Sequence, residues 1–326
     1  MPAWKIAAVT AALLVAMPQY GKAQQVQKDY PNKPIRIVVP YAAGGPMDFT
    51  GRTIGQKISA VLGQNLIIDN RPGAGGAIGA DYVAKSPPDG YTMLHTSSSH
   101  ASIPAVSKSL PYDSIKDFAP ITQVASNVGF IMAARSDLPA KSVQQLVADA
   151  KANPGKYTYG SGGVGNIMQF AAEYFNNAAG TQITHVPYKG VGQAITDLIG
   201  GRIDLVFASA PALLPHIQSG RIKALGLAGV NRWDKLPDVP TIDEAGLKGF
   251  KYMPWYGFWF PARTPKEYVT LMRNEVVKAL QHPDVKLAFS EQGFVAVGST
   301  PEEFAKLIAE EIQANTALAR RLNISQ

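Results

Sequence analysis

One local design occurs twice in this chain, and it constrains the fold more than any other feature of the sequence. Each copy is an extended apolar run, then a glycine-rich turn, then an amphipathic helix. In the first copy the run is Ile35–Val39, the turn is residues 40–46 (PYAAGGP), and Ile54, Ile58 and Val61 share one helix face. This order predicts a strand that leads through a tight turn directly into a helix.

The second copy lies about 120 residues further along the chain. Its extended run is residues 157–159 (YTY) and its turn is residues 160–166 (GSGGVGN). The helix that follows carries apolar side chains at i, i+3, i+4 and i+7, namely Met168, Ala171, Ala172 and Phe175. Glycines permit sharp turns, and a helix start offers unpaired N–H groups with partial positive charge, so each copy is a predicted anion site. Two such sites predict a cleft between two lobes.

The N-terminus reads as an export signal. Lys5 precedes a short apolar stretch at residues 6–17, and the segment Gly21-Lys22-Ala23 follows it. Gly21 and Ala23 place small residues at the two positions that a signal peptidase recognises. We predict cleavage after Ala23 and a mature protein in the periplasm; a buried N-terminal helix is the alternative. The apolar stretch is shorter than the roughly 20 residues that span a bilayer.

Composition restricts the function classes. The chain has no cysteine, so an exported protein of this kind must be stable without disulfides. Its formal charge is +7, and Lys/Arg residues are scattered rather than clustered, which argues against nucleic-acid binding. A cationic surface favours an acidic small molecule, although a modest excess of charge is also typical of an ordinary solvated surface.

The mature length of about 300 residues suits two domains, and strands alternate with helices along most of it, which predicts α/β lobes with mostly parallel sheets. The two glycine turns and the absence of a linker favour a discontinuous arrangement. We predict one lobe from residues 24–125 with 229–326 and the other from residues 126–228. Residues 121–134 read as one long strand that crosses between the lobes.

The sequence offers little support for catalysis or a cofactor. Residues 73–79 (GAGGAIG) match a dinucleotide-binding loop only loosely, so a backbone turn at the cleft rim is the favoured interpretation. There is no cysteine nucleophile and no G-x-S-x-G motif. The five histidines are dispersed along the chain: His95, His100, His185, His216 and His282. We therefore predict no enzyme, no cofactor and no metal.

Several sequence blocks resemble the Bug/TctC family, the periplasmic solute-binding receptors of tripartite tricarboxylate transporters. The blocks appear in order from about residue 30 to the end: PYAAGGPMD (40–48), NRPGAGGAIG (70–79), PDGYT (88–92), VPYKG (186–190), LPDVPT (236–241), and WYG (255–257) with PARTP (261–265). The resemblance implies a type II-like, flytrap periplasmic-binding-protein fold. Its implied function is capture of a small organic carboxylate by a monomer that serves membrane transporter subunits.

The resemblance also implies which residues contact the ligand. The first loop would contribute Tyr41, Ala42, Ala43, Gly44, Gly45, Pro46 and Asp48. The second loop would contribute Ser161, Gly162, Gly163, Gly165 and Asn166. Thr96, Ser97, Ser209 and Trp255 would complete the wall. For Asp48 a helix cap is the equal alternative, and for Trp255 interior packing is an alternative.

Departures from the family pattern suggest the ligand class. Met168 and Phe170 stand where the family usually has a small residue and a His-Leu pair, and Phe49 replaces a smaller aliphatic residue. Soft and aromatic bulk at the mouth, with Met168 as a contact, is compatible with an aromatic carboxylate, so both this class and the di- or tricarboxylates stay open; core packing explains the same residues almost as well. Two other functions stay open: an exported ligand-sensing subunit for a sensor kinase, and an exported hydrolase or isomerase.

Overall fold

The computed structural model describes residues 30–107, 109–322 and 324, so the predicted signal peptide lies outside the described residues. The strands are β1 (Ile35–Val39), β2 (Leu66–Asn70), β3 (Thr92–Ser97), β4 (Phe118–Asn127), β5 (Ile131–Arg135), β6 (Thr158–Ser161), β7 (Thr184–Pro187), β8 (Leu205–Ala208), β9 (Ile222–Leu227), β10 (Trp255–Pro261) and β11 (Phe294–Ala296). The helices are α1 (Pro46–Leu62), α2 (Ala77–Ala84), α3 (Ser99–Val106), α4 (Val143–Ala152), α5 (Ile167–Ala179), α6 (Val191–Ile199), α7 (Ala210–Gln218), α8 (Lys266–Gln281), α9 (Pro283–Glu291) and α10 (Pro301–Leu322).

The strands form two sheets flanked by helices. The first sheet has the order β11-β4-β10-β3-β1-β2, so it is built from the early and late parts of the described chain. The second has the order β7-β6-β8-β5-β9 and comes entirely from the central part. The predicted α/β class is therefore correct, with one sheet for each of two lobes. The exact lobe boundaries at 125/126 and 228/229 stay a prediction.

Both sheets are mixed rather than mostly parallel. In the first sheet β1 pairs in parallel with β2 and β3, whereas β10 and β11 run antiparallel to their neighbours. In the second, β6 is parallel to β7 and β8, whereas β5 is antiparallel to β8 and β9. The prediction of mostly parallel sheets is thus right only for the strands that are linked by helical crossovers.

The predicted long strand at residues 121–134 is two strands in different sheets, β4 and β5. They separate at Gly129, where φ is +130°, a conformation that favours glycine. Gly229, on a second connection between the sheets, packs directly against this turn: a Cβ on Gly129 would lie 2.5 Å from the Gly229 nitrogen. The start and the end of that second connection, which runs from β9 to β10, lie side by side, because the Tyr252 N–H donates to the Ala228 carbonyl at 2.8 Å. In the described chain two neighbouring connections, β4–β5 and β9–β10, thus link the two sheets.

The last helix, α10, contacts both halves of the molecule. Its start is a capping box, in which the Thr300 N–H donates to Glu303 and the Glu303 N–H donates to the Thr300 hydroxyl. Phe304 is buried in the core of the first sheet with Trp259. Towards its C-terminus Ala319 packs in a separate cluster with Val106 of α3 and Phe170 of α5. No helix in the described part of the chain has the length and hydrophobicity to cross a membrane.

Candidate functional site

The first glycine loop ends in a helix start with unused amides. It runs from the end of β1 to Pro46, the first residue of α1, and its Gly44 has φ +83°. Among the described residues no side chain caps α1, and no hydrogen bond is formed by the amides of Met47 and Asp48. Pro46 has no N–H to offer. The α1 start therefore presents two free N–H groups and the positive end of a helix dipole.

The Asp48 carboxylate stabilises this loop through hydrogen bonds. Its Oδ2 accepts hydrogen bonds from the Gly44 N–H at 3.1 Å and from Arg52 Nε at 2.9 Å, and its Oδ1 accepts from Arg52 Nη2 at 2.9 Å. The hydrogen bonds from Arg52 lower the pKa of Asp48, which is almost fully buried. Both carboxylate oxygens are engaged, so the geometry matches the structural alternative for Asp48 better than a role in orienting a ligand.

The glycines of residues 73–79 allow close packing beside the first loop. The Tyr41 hydroxyl donates to the Gly75 carbonyl at 3.1 Å, and the Asn70 side-chain amide donates to the Tyr41 carbonyl at 3.1 Å. A Cβ on Gly79 would lie 2.7 Å from Pro40, so a larger residue cannot occupy this position without displacing the first loop. Packing against that loop accounts for these glycines without a nucleotide.

The polar segment after residue 95 is the end of a strand and the start of a helix. Thr96 and Ser97 belong to β3 and are almost fully buried. Ser98 is the N-cap residue of α3, and the Ser99 N–H donates to the Ser97 hydroxyl at 3.3 Å. The Ser98 hydroxyl is buried and has no partner among the described residues.

The second glycine loop has its polar groups paired internally. The Gly163 N–H donates to the Ser161 hydroxyl at 3.1 Å, and the Gly165 N–H donates to Gln169 Oε1 at 2.8 Å. Asn166 caps α5, because its Oδ1 accepts from the Met168 N–H at 2.9 Å. The loop therefore offers a ligand fewer free amides than the first loop does.

A serine–histidine contact that the sequence analysis missed lies beneath this loop. Ser161 Oγ is 2.6 Å from His185 Nε2, and the imidazole stacks on Tyr159 with ring centroids 4.9 Å apart. Burial lowers the pKa of His185 to about 4, so its ring is neutral at pH 7. The contact depends on the pairing of β6 with β7, a register that no local sequence signal reveals.

Ser161 does not have the accessibility of a nucleophile. Its side chain is fully buried, and its oxygen already accepts the Gly163 N–H. A general base must reach the reacting hydroxyl, and the hydroxyl must also reach the substrate. The Ser161–His185 pair satisfies the first condition and not the second.

Trp255 and Met168 lie in the core. Trp255 is almost fully buried, its Nε1 donates to Glu311 Oε2 at 2.7 Å, and it packs edge-on against Phe304. These contacts match the packing alternative for Trp255, and its place in the cleft wall stays a prediction. Met168 is buried in the core of the second sheet. Ser209 is the N-cap residue of α7 and is largely buried, without a side-chain cap bond.

The aromatic departures from the family pattern are also packing residues. Phe49 stacks on Phe294 with centroids 5.9 Å apart and lies beside Phe289. Phe170 is fully buried in the cluster with Val106 and Ala319. Packing therefore accounts for Phe170 fully, and for the half-buried Phe49 on the side that faces Phe289 and Phe294.

The chain matches one protein family over most of its length. The family model described as the tripartite tricarboxylate transporter family receptor matches residues 50–324. Protein BugT of Bordetella pertussis is 35% identical over 303 residues, which cover 92% of this chain and 93% of BugT.

Two solved structures are similar over nearly the whole chain. An R. palustris protein solved with adipate has a TM-score of 0.85 and 33% identity, and the match covers 91% of this chain and 99% of that protein. MatC from Rhodopseudomonas palustris, solved with bound malate, has a TM-score of 0.81 and 29% identity, with coverage of 89% and 99%.

Proposed function

Because the chain belongs to the Bug/TctC family of tripartite tricarboxylate transporter receptors, we propose that it captures a small dicarboxylate between its two lobes in the periplasm. It then delivers the unchanged ligand to the membrane subunits of a transporter. The family consists of solute-binding proteins, and its solved members share the two-lobed α/β periplasmic-binding-protein fold that the sequence predicted.

The observation that carries this proposal is the uncapped start of α1. Two free amides and the helix dipole favour an anion there, and charge-assisted hydrogen bonds from amides to a carboxylate are strong. Lysine and arginine are absent from the predicted contact residues. Backbone groups and hydroxyls, from Thr96, Ser97 and Ser209 as well as both loops, would therefore hold the ligand. Cofactors and metals have no part in this mechanism.

A dicarboxylate fits the arrangement better than an aromatic monocarboxylate. Two loops, one from each lobe, suit two carboxylate groups at the ends of one ligand, and both solved relatives hold diacids, adipate and malate. Of the side chains that suggested an aromatic ligand, Met168 and Phe170 are in the core, and Phe49 packs against Phe294. In the second loop, Gly162 and Asn166 would bind the second carboxylate, with Asn166 exchanging its capping bond for one to the ligand.

The test is a thermal-shift screen of the protein exported with its own N-terminus and purified from the periplasm. The panel is succinate, malate, glutarate, adipate, pimelate, citrate, benzoate and terephthalate, with hits measured by calorimetry. A ligand at about 1,000 times its Kd adds about 4 kcal/mol to the free energy of unfolding. We expect aliphatic diacids to raise the melting temperature accordingly. No increase with any diacid, or an increase with aromatic acids alone, would contradict the proposal. Mass spectrometry of the same sample checks cleavage after Ala23.

Two alternatives predict different results. A hydrolase or isomerase would change the ligand, so recovery of unchanged diacid after a day with stoichiometric protein excludes turnover. A ligand-sensing subunit would bind the same diacid but would bind a sensor-kinase outer domain instead of transporter subunits. Uptake of labelled diacid by cells that lack the protein separates these roles, because only a transport receptor is needed for uptake.

A further inference from the structure

Helix α3, on the side of the first sheet, makes a polar contact with the second glycine loop. The Ser102 hydroxyl donates to the Gly165 carbonyl at 2.9 Å; the Ser99 carbonyl, at 3.4 Å, is the poorer acceptor. Ser102 is fully buried, and Gly165 has φ +80°, a conformation that favours glycine. The contact therefore joins a specialised turn of one lobe to a helix of the other.

The Gly165 residue is held from two directions. Its N–H donates to Gln169 of α5, and its carbonyl accepts from Ser102 of α3. Close by, Val106 of α3, Phe170 of α5 and Ala319 of α10 form a buried apolar cluster that keeps water from the α3–α5 contact. A hydrogen bond in a dry environment is stronger than the same bond in water, so this contact is well suited to fix the loop.

The residue next to Ser102, Ile103, is linked to the first glycine loop through Gly75. Ile103 is buried, and its Cδ1 would lie 3.7 Å from a Cβ placed on Gly75. The Gly75 carbonyl accepts the hydroxyl of Tyr41, which belongs to the first loop. Helix α3 therefore contacts the second loop directly, through Ser102, and is linked to the first loop indirectly, through Ile103 and Gly75.

We propose that Ser102 is a positioning residue that sets the separation of the two glycine loops and thereby selects the chain length of the diacid. This inference rests on the proposed function, because it assumes one carboxylate at each loop. A fixed separation suits diacids of one length, and a loop that is free to shift accepts several lengths at the cost of affinity. Ser102 itself need not touch the ligand.

The experiment compares the wild-type protein with S102A in calorimetric titrations with succinate, glutarate, adipate and pimelate. We expect S102A to bind the preferred diacid about tenfold more weakly and to discriminate among chain lengths by no more than about threefold. Hydrogen exchange in residues 162–168 of the free protein should be faster in S102A. The matched control is S59A, which removes a serine hydroxyl that donates to the Gly55 carbonyl at 2.7 Å inside the first lobe. It should leave the length profile and the exchange of residues 162–168 unchanged.

The outcomes separate this inference from the proposed function. If the wild-type protein binds no diacid, the proposed function fails. If it binds diacids and S102A keeps the full length profile, only the role of Ser102 is overturned. If S102A does not fold, I103V replaces it, because this variant loses the methyl group that faces Gly75. I103V should weaken length discrimination, and an unchanged profile in I103V would likewise overturn the inference.

Discussion

Two glycines at opposite ends of α1 share a left-handed backbone conformation and differ in what they shape. Gly44 has φ +83° in the first loop, and Gly63 has φ +64° at the C-terminal cap of the helix. A Cβ at either position would meet no atom within 4 Å. An alanine at either position therefore introduces backbone strain of about 1–2 kcal/mol and no steric clash.

This pair gives a clean test of the first loop. We expect G44A and G63A to lower the melting temperature by similar amounts, because the strain is similar. Only G44A should weaken diacid binding, by tenfold or more, since it shifts the amides at the start of α1. Calorimetric titration of both variants checks this, and equal affinities for the two would mean that the first loop does not hold the ligand.

Single residues also show where sequence reasoning stopped. The ion pair between Asp48 and Arg52 could be predicted from the sequence, because Arg52 lies at i+4 on the same predicted helix. The core position of Trp255 was not, because its partner Glu311 is 56 residues away in the chain. The glycine loops were readable because their chemistry is local, whereas the Ser161–His185 contact depends on strand register.

At the scale of elements, α10 contains a carboxylate in an unfavourable environment. Burial raises the pKa of Glu311 to about 7 from an ordinary value near 4.5, against the effect of the hydrogen bond from Trp255. A carboxyl group with a raised folded-state pKa favours the native state while it is protonated. Its contribution is complete below pH 4.5 and is lost as the pH rises through 7.

E311Q should therefore change the pH dependence of stability. The glutamine keeps an acceptor for Trp255 and cannot ionise. We expect wild type and E311Q to be similar at pH 5, and the variant to be more stable by about 2 kcal/mol at pH 8. Urea unfolding between pH 5 and 8 measures this. E310Q, on the exposed face of the same helix beside Lys306, is the control, and it should follow the wild-type curve.

Elements were predicted well where hydrophobic periodicity was long and poorly where it was short. Strand β1 has the predicted bounds, and α1 and α5 follow the two glycine turns as predicted. The sequence analysis missed α3 and α7, which have eight and nine residues and contain Pro104 and Pro215, respectively. Proline inside so short a segment argues for a loop unless packing compensates. The break at Gly129 needed Gly229, 100 positions away, to explain it.

At the scale of the whole molecule, two connections of the described chain, β4–β5 and β9–β10, join the two sheets, and α3 contacts the second loop. Any closure of the lobes must therefore pivot close to Gly129 and Gly229. A ligand that bridges both loops stabilises the closed arrangement relative to the open one, because only there do both carboxylates find partners.

We expect the preferred diacid to make the protein more compact. A globular chain of this length has a radius of gyration of roughly 19 Å, and lobe closure should reduce it by about 1 Å. Small-angle scattering with and without saturating diacid measures the change, and G44A at the same diacid concentration is the control for effects of the ligand on the solvent. Because G44A should bind the diacid at least tenfold more weakly, a concentration that only just saturates the wild type leaves G44A largely unliganded, and its profile should change little. Identical profiles for the free and saturated wild-type protein would instead mean that the diacid enters a cleft that is already closed, and that the two loops are held at their binding distance by contacts such as Ser102 with Gly165.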